Sequence, residues 1–263
     1  MKIFITGASS GIGNALAHEY AKRFADTGAI IGLAARRSEH LQQLASELQN
    51  EYKITCAIYP LDVRDATALE TAAADFMQQH GTPDIVIANA GVSRGTLTAD
   101  KTDFKAIQAI FDINVMGLVY TFQPFIAAMK LAGQGQLVGV ASVAGIRGIP
   151  GSGAYSASKA AVISYCESLR TEMQHFNINV STIAPGYIRT PMTELNPYKM
   201  PFLMDADVFA HKFANAVEAK VRFKIIPWQM GCVARLMRFI PPVLWDWAMK
   251  NAPRKARMNW DWL

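Results

Sequence analysis

The sequence has few residues of the kinds that build metal centres and disulfide frameworks. Its three cysteines, Cys56, Cys166 and Cys232, lie far apart and form no Cys-x-x-Cys pair. Its five histidines show no spacing typical of metal ligands. A small, odd number of separated cysteines is typical of reduced thiols inside a cytoplasmic protein. We therefore expect neither disulfides nor a bound metal.

The sequence also lacks the segments that mark exported, membrane-spanning and nucleic-acid-binding chains. It opens with the strand-like stretch Met1–Ile5 and not with a basic segment followed by an apolar one, so no secretion signal is expected. No uncharged apolar run reaches about 18 residues, which argues against a spanning helix. Basic runs with interleaved aromatic residues are missing too. These absences favour a cytoplasmic location and argue against a nucleic-acid partner.

The composition that remains is that of a globular protein. The chain has 263 residues, of which 51% are hydrophobic and 18% charged. This predicts a large folded core and argues against disorder. The net charge is +5, a mild excess. Basic residues gather near the end of the chain, at Arg235, Arg238, Lys250, Arg254, Lys255 and Arg257.

Short apolar segments alternate with amphipathic helical ones, which predicts an α/β fold. Such alternation implies a parallel sheet with right-handed crossovers, whose ligands bind at the carboxyl ends of the strands. Strands are expected at 2–8, 29–35, 53–59, 84–88, 136–141, 177–183 and 223–226. Helices are expected at 11–25, 38–50, 66–79, 107–129 and 206–221, with another beginning at Ala154.

A glycine-rich loop joins the first strand to the first helix. It reads Thr6-Gly7-Ala8-Ser9-Ser10-Gly11-Ile12-Gly13. Glycine lets a backbone approach a pyrophosphate closely, and a helix N-terminus offers unpaired N–H groups and the positive end of a dipole. The position between a strand and a helix favours a phosphate-binding loop over a glycine-rich turn that binds nothing.

Two arginines, Arg36 and Arg37, follow the second strand directly. In dinucleotide sites an acidic residue near this point binds the ribose hydroxyls, whereas an arginine accommodates a 2′-phosphate. Here the strand ends in the neutral Ala35, so the pattern favours NADP(H) over NAD(H), with Arg36 on the phosphate. Arg37 either adds to this contact or faces solvent. The alternative is a pair of surface arginines that open the next helix.

Tyr155 and Lys159 stand on one face of a helix that follows the loop Gly151-Ser152-Gly153. The ordinary pKa of tyrosine, about 10, makes it a poor acid or base at neutral pH. A nearby ammonium favours the phenolate and lowers that pKa, so that the phenol can exchange protons in catalysis. We expect Lys159 to tune Tyr155 in this way.

These motifs together resemble the classical short-chain dehydrogenase/reductase family. They occur in the family's order and at its usual separations, over roughly residues 1–190. The matching elements are Thr6–Gly13, Asp62-Val63, Asn89-Ala90-Gly91, Asn114, Ser142, Tyr155-x-x-x-Lys159 and Pro185-Gly186. The resemblance implies a single three-layer, Rossmann-type domain over residues 1–226, with a doubly wound parallel sheet in the strand order 3-2-1-4-5-6-7.

The resemblance also implies a cofactor site and a reaction. Hydride passes between the nicotinamide C4 and a carbonyl carbon, Tyr155 supplies the proton, and Ser142 holds the oxygen. Lys159 anchors the ribose, and Asn114 bends its helix and supports a water beside that lysine. The implied cofactor contacts, with Arg36 included, are Gly7, Ser9, Ser10, Gly11, Ile12, Gly13, Arg36, Asp62, Val63, Asn89, Ala90, Gly91, Tyr155, Lys159, Pro185, Gly186, Ile188 and Thr190.

The C-terminal extension, residues 227–263, departs from the family pattern. We expect two short amphipathic helices, at about 231–240 and 243–250, and then a basic tail. Tryptophan and arginine side chains suit an interfacial membrane anchor on the inner face of a membrane. A hairpin that covers the substrate pocket or a neighbouring subunit fits the same pattern.

Substrate and assembly are predicted only in outline. The segment 193–202 is expected to be a mobile lid, and its apolar residues with those of the extension suggest a lipophilic ketone, aldehyde or fatty-acyl substrate. Small residues narrow the helix that carries Tyr155, which predicts pairing of subunits in a homodimer or homotetramer. Two rival interpretations are a non-catalytic dinucleotide sensor and a membrane-associated scaffold.

Overall fold

Seven strands and ten helices are defined in the computed structural model, which describes residues 1–194, 196 and 198–257. The strands are β1 Lys2–Thr6, β2 Ile30–Ala35, β3 Thr55–Pro60, β4 Ile85–Ala88, β5 Gly135–Val140, β6 Ile178–Pro185 and β7 Phe223–Ile226. The helices are α1 Gly11–Arg23, α2 Ser38–Tyr52, α3 Ala66–His80, α4 Phe104–Phe111, α5 Gly117–Ala132, α6 Gly153–Met173, α7 Pro191–Glu194, α8 Ala206–Glu218, α9 Trp228–Phe239 and α10 Pro242–Met249.

All seven strands form one parallel sheet in the order β3-β2-β1-β4-β5-β6-β7. The predicted Rossmann-type fold and its strand order are therefore confirmed. Several strand ends differ from the prediction. Strand β6, for example, continues to Pro185, because this residue still pairs with Ile226 and Gly186 donates to the Ile226 carbonyl.

Helices cover both faces of the sheet and bury two apolar clusters. One face packs against α1, α2 and α8, and the other against α3, α5 and α6. On the second face the Phe4 ring contacts the rings of Phe76 and Phe125, with centroids 5.6 and 5.0 Å apart. Gly32 is required beside them, because a Cβ there would lie 2.6 Å from the Phe4 ring.

The predicted helix 107–129 is longer and is interrupted. It runs from α4 into α5 through a π-helical turn, Asp112–Met116, at the position of Asn114. The whole segment Lys101–Ala132 is long and apolar enough to cross a membrane by length and composition, with a hydropathy of 1.3 in its most apolar window. No such segment was expected. Its buried Phe122, Phe125 and Met129 pack against the sheet, and about a third of its most apolar window is buried in the fold.

The extension folds back onto the loop between β5 and α6. Met230 and Ala234 of α9 are buried against Val143 and Ile146. Helix α9 begins at Trp228, earlier than predicted, because Pro227 can precede a helix without losing a bonded N–H. The outer face of the two helices exposes the large apolar side chains Trp228, Leu236, Phe239, Val243, Leu244 and Trp247.

Candidate active site

The glycine-rich loop is shaped so that only glycine fits at two of its positions. Gly7 has φ +69°, in the left-handed region. A Cβ on Gly13 would lie 2.2 Å from the Gly7 carbonyl oxygen. Asn89 holds the loop from β4, since its side-chain amide donates to the Thr6 and Gly7 carbonyls at 3.0 and 3.3 Å. The loop thus presents the N-terminus of α1 to the cavity, where it fits a pyrophosphate.

Arginines surround the end of β2. Arg37 donates to the hydroxyls of Ser9 and Ser10 at 3.0 and 2.8 Å, so its guanidinium lies on the glycine-rich loop. Arg36 is half-exposed, with its guanidinium 4.0 Å from the Asp62 carboxylate. All five of these side chains line the cavity. Arg37 is exposed and also lines the cavity, so its contact with a phosphate stays a prediction.

Asp62 is itself paired with a neighbour. Arg64 donates to its carboxylate through two nitrogens, at 2.7 and 3.1 Å. Burial raises the pKa of Asp62, but the hydrogen bonds from Arg64 outweigh this and the net pKa is lowered. The carboxylate is therefore ionised at neutral pH, and it lines the cavity next to Val63.

Asn114 lies behind the cavity wall and connects three elements. Its side chain accepts from the Val92 N–H at 2.8 Å and donates to the Val92 carbonyl and the Ser158 hydroxyl at 3.0 Å each. Gly91 lies next to both Asn114 and Lys159. A Cβ on Gly91 would lie 3.2 Å from the Asn114 side-chain oxygen and 3.4 Å from the Lys159 Nζ, so the absence of a side chain leaves room for both groups. Asn114 lies in the π-helical turn, with its side-chain amide buried. Such turns within α-helices are frequent at functional sites.

Ser142, Tyr155 and Lys159 meet where β5 ends and α6 begins. Burial raises the pKa of Tyr155, and a hydrogen bond with Ser142 offsets this only in part. Lys159 donates to the Val140 carbonyl at 2.8 Å, and its Nζ lies 6.0 Å from the centre of the Tyr155 ring. Burial lowers the pKa of Lys159 to about 8. The expected lowering of the Tyr155 pKa by Lys159 is thus not seen, because burial of the phenol dominates.

The segment after β6 closes the cavity from the other side. A Cβ on Gly11 would lie 3.2 Å from the Thr190 side chain, so this segment touches the glycine-rich loop. Thr190 is fixed by hydrogen bonds with Thr193. Within the predicted lid 193–202, Leu195 and Pro197 lie outside the described residues. The Tyr198 ring of that segment packs near Tyr187, with centroids 6.4 Å apart.

One continuous cavity joins these parts. Of the predicted site residues, Gly13 and Asn114 stand behind the wall, and the others line the cavity: Gly7, Ser9, Ser10, Gly11, Ile12, Arg36, Asp62, Val63, Asn89, Ala90, Gly91, Ser142, Tyr155, Lys159, Pro185, Gly186, Ile188 and Thr190. The glycine loop, the helix N-terminus and the arginines fit a nicotinamide dinucleotide. In the described part of the chain, no group of three His, Cys, Asp or Glu side chains could hold a metal.

Sequence reasoning missed several side chains around the site. Ser158 accepts from Asn114 and donates to the Tyr155 carbonyl at 2.8 Å. Lys255, near the end of the chain, lies with its Nζ 5.8 Å from the Tyr155 ring centre and 2.8 Å from the Ser93 hydroxyl. Ser158 could have been suspected from its place beside Lys159 in the motif. Lys255 had no local signal, because its partners are distant in sequence.

The chain is similar to known oxidoreductases over most of its length. Residues 1–199 match the profile of the short chain dehydrogenase family. An uncharacterized oxidoreductase of Myxococcus xanthus is 35% identical over 250 residues, which cover 94% of this chain and 95% of that protein.

Solved structures agree with this assignment. A short-chain dehydrogenase from Sphingobium yanoikuyae in complex with NADPH has a TM-score of 0.77 at 25% identity, covering 92% of this chain and 96% of that one. An alcohol dehydrogenase from the archaeon Thermococcus sibiricus, complexed with 5-hydroxy-NADP, has a TM-score of 0.75 at 25% identity, covering 86% and 94%. With the seven-stranded fold and the cavity, these likenesses show that the chain belongs to the short-chain dehydrogenase family of oxidoreductases.

Proposed function

We propose that this protein is an NADP(H)-dependent oxidoreductase that interconverts a carbonyl and an alcohol, with Tyr155 as the proton donor. The observation that carries the proposal is the position of Ser142, Tyr155 and Lys159, which line the same cavity as the glycine-rich loop. A dinucleotide bound along that loop supplies hydride to the substrate carbon. A sensor that only binds the dinucleotide would not need these three side chains.

The chain's own residues handle the proton and the developing negative charge. Because burial raises the pKa of Tyr155, its phenol keeps its proton at neutral pH and can donate it to the alkoxide oxygen. Ser142 donates a hydrogen bond to that oxygen and stabilises its charge. Lys159, with a pKa of about 8, is mainly an ammonium at neutral pH and supports the phenolate left behind.

The preference for NADP(H) rests on the two arginines after β2. Guanidinium groups bind phosphate through paired, charge-assisted hydrogen bonds. Arg36 and Arg37 both line the cavity, and Arg37 is already oriented by Ser9 and Ser10. The cofactors bound in the two similar solved structures, NADPH and 5-hydroxy-NADP, support the same choice.

The test is consumption of NADPH with a panel of ketones and aldehydes. Tyr155→Phe should lower kcat by about 10²–10⁴-fold, because it removes the acid and keeps the ring. The Kd for NADPH should stay within about twofold, and Tyr165→Phe, on the same helix, serves as the matched control. NADPH binding without turnover of any carbonyl by the wild type would favour the sensor instead.

We also propose that the substrate has a lipophilic part. The apolar side chain of Met192 lines the cavity, and Tyr187 and Tyr198, from the same stretch of the chain, form an aromatic pair. In the carbonyl panel, kcat/KM should therefore rise with the length of an apolar chain. A flat or falling series would contradict this part of the proposal.

A second copy of the chain is the proposed partner of α6. Gly153, Ala157 and Ala160 lie on an exposed, narrow face of this helix. Phe104 and Phe111 of the adjoining α4 are exposed as well. Such a surface suits close packing of helices in a homodimer or homotetramer. Ala160→Glu should then shift the sedimentation profile to a species of 28.9 kDa, whereas a monomeric wild type would refute the pairing.

The extension 227–263 is proposed to be a separate element that holds the cytoplasmic enzyme at the inner face of a membrane. Its outer face combines exposed Phe239 and Trp247 with Arg235 and Arg238, which complement anionic lipid. The wild type should float with phosphatidylglycerol vesicles and not with phosphatidylcholine vesicles, and Phe239→Glu with Trp247→Glu should abolish flotation. If both proteins stay in the soluble fraction, the extension has no membrane role, and the scaffold alternative also fails.

A further inference from the structure

The described end of the chain returns to the active site and is fixed on both sides of Lys255. Before it, Arg254 packs on Gly151, where a Cβ would lie 2.9 Å from the Arg254 Cβ. After it, Gly95 donates to the Ala256 carbonyl at 3.1 Å. A Cβ on Gly95 would lie 2.2 Å from the Lys255 carbonyl oxygen, so the tail occupies space that only glycine leaves.

An ion-pair cluster holds the next residue. Arg257 donates to the buried Asp103 at 3.0 and 3.1 Å and also to Asp100. The Asp103 carboxylate in turn accepts a hydrogen bond from the Leu97 N–H at 2.7 Å. Asp103 therefore connects Arg257 to the loop that follows β4. These contacts place the tail across the loops on either side of Tyr155. The position of Lys255 is therefore determined by its neighbours and not by its own side chain.

Lys255 brings a positive charge to the catalytic tyrosine. Its Nζ lies 5.8 Å from the Tyr155 ring centre, about as near as the 6.0 Å of Lys159. Its hydrogen-bond partner is the neutral hydroxyl of Ser93. Lys159, by contrast, donates to Val140 in the sheet. Two ammonium groups thus approach one phenol, and the reaction described above uses only Lys159.

The described residues around Lys255 supply no negative charge to pair with its ammonium group. It is half-buried, and among the residues that the structure describes, no carboxylate lies within 4.0 Å of its Nζ. Burial, together with the smaller effect of the nearby charge of Arg94, lowers its pKa to about 8. Removing a cation from water without an anion beside it costs free energy. An anionic ligand at this point would offset that cost.

We propose that Lys255 binds an acidic group of the substrate, so that the enzyme acts on carbonyl compounds that carry a carboxylate or a similar anion a few bonds from the carbonyl. This inference rests on the proposed function, because it places the reacting carbonyl at Tyr155. It adds a specificity-determining residue from the extension to a site whose chemistry lies before residue 199. An apolar chain and an acidic group are compatible in one substrate.

The test compares oxo acids with their neutral esters. Reduction of 4-oxopentanoate and 5-oxohexanoate is measured beside that of their methyl esters, with wild type, Lys255→Met and Lys255→Arg. Lys255→Met should raise KM for the acids about tenfold or more relative to KM for the corresponding esters. Lys255→Arg should keep most of the preference, and Lys250→Met is the matched control on the same tail.

Three outcomes would overturn the proposal. If Lys255→Met lowers kcat/KM equally for acids and esters, the lysine only anchors the tail, and Ser93→Ala should then have the same effect. If the wild type shows no preference for the acids over the esters, Lys255 does not select substrates by their negative charge. A separate calorimetric titration measures binding of 5-oxohexanoate to wild type and Lys255→Met in the presence of NADP⁺. Because it requires no turnover, it tests the Lys255 site even if the reductase proposal fails. Binding lost in Lys255→Met supports the site without turnover, and binding that is equal or absent in both proteins refutes it.

Discussion

The guanidinium of Arg37 donates to the hydroxyl of Ser10 at 2.8 Å and so ties the end of β2 to the glycine-rich loop. Arg36, one position earlier, lies on the other side of the cavity near Asp62. The two neighbours therefore flank the region where the second strand meets the loop. A phosphate placed there would meet two cations.

Both arginines should contribute to the choice of cofactor. We expect Arg36→Ala and Arg37→Ala each to lower the ratio of kcat/KM for NADPH to kcat/KM for NADH by about tenfold or more, because each removes a charge-assisted hydrogen bond. The loss should come from KM for NADPH. Steady-state kinetics with both cofactors measures the effect.

The control for the arginine variants is Arg170→Ala, on the far part of α6. It should leave the ratio unchanged. If Arg36→Ala has no effect and Arg37→Ala does, the phosphate is bound by Arg37 alone and the assignment of Arg36 is wrong. If neither variant changes the ratio, neither arginine binds the 2′-phosphate of the cofactor.

Gly13 should tolerate no side chain. In Gly13→Ala the new Cβ meets the Gly7 carbonyl oxygen at 2.2 Å and the Asn89 amide at 2.6 Å, so the loop must shift. We expect a loss of about 1–3 kcal/mol in the free energy of unfolding and a weaker Kd for NADPH. Thermal denaturation and fluorescence titration measure the two effects. Gly148→Ala, where a Cβ meets nothing within 4 Å, should leave both quantities unchanged.

Arg147 should hold the extension in place. It donates to the Ile240 carbonyl at 2.6 Å and to the Met237 carbonyl, and its guanidinium stacks on the Trp245 ring at 4.5 Å. In Arg147→Ala we expect amide hydrogen exchange in α9 and α10 to become at least about tenfold faster, while the central strands keep their protection. Uniform acceleration over the whole chain would show that the extension is not a local unit. Trp245→Ala should have a smaller effect, because it removes only the stacking.

Lys159 should make stability depend on pH in a defined direction. Burial lowers its pKa from 10.5 to about 8, so between these values the unfolded chain binds a proton that the folded chain does not. Stability then rises with pH in this window, since the cost of a buried charge disappears. Relative to Lys159→Met, the wild type should gain up to about 3 kcal/mol between pH 8 and pH 10.5. Urea denaturation at several pH values measures the difference, and a difference that is constant with pH would contradict the assignment.

The parts of this protein that the sequence predicts are those with a local pattern. The glycine-rich loop and the Tyr155–Lys159 pair were found because their residues are close in sequence. The alternation of strands and helices predicts a parallel sheet for the same reason, although element ends shifted by a few residues. Such shifts depend on pairing with a neighbouring strand, as at Pro185 and Ile226.

The parts that could not be predicted depend on contacts between distant residues. Lys255 reaches Ser93 across 162 positions, and Arg147 reaches Ile240 across 93. Neither residue has a neighbouring pattern that would distinguish it from an ordinary surface cation. The direction of the Tyr155 pKa was also missed, because the extent to which the fold buries a phenol does not follow from the lysine four positions later.

The contact of Arg254 with Gly151 links the tail directly to the loop that precedes Tyr155. In the proposed reaction, the residues that handle hydride and proton all lie before residue 199, whereas Lys255, the proposed substrate-binding residue, lies near the end of the chain. Substitutions, insertions or exchange of the last few dozen codons could change what the enzyme accepts while the reacting geometry stays intact. In a lineage with many duplicated copies of one dehydrogenase, this end of the chain is where new specificities would be acquired at the smallest cost to catalysis.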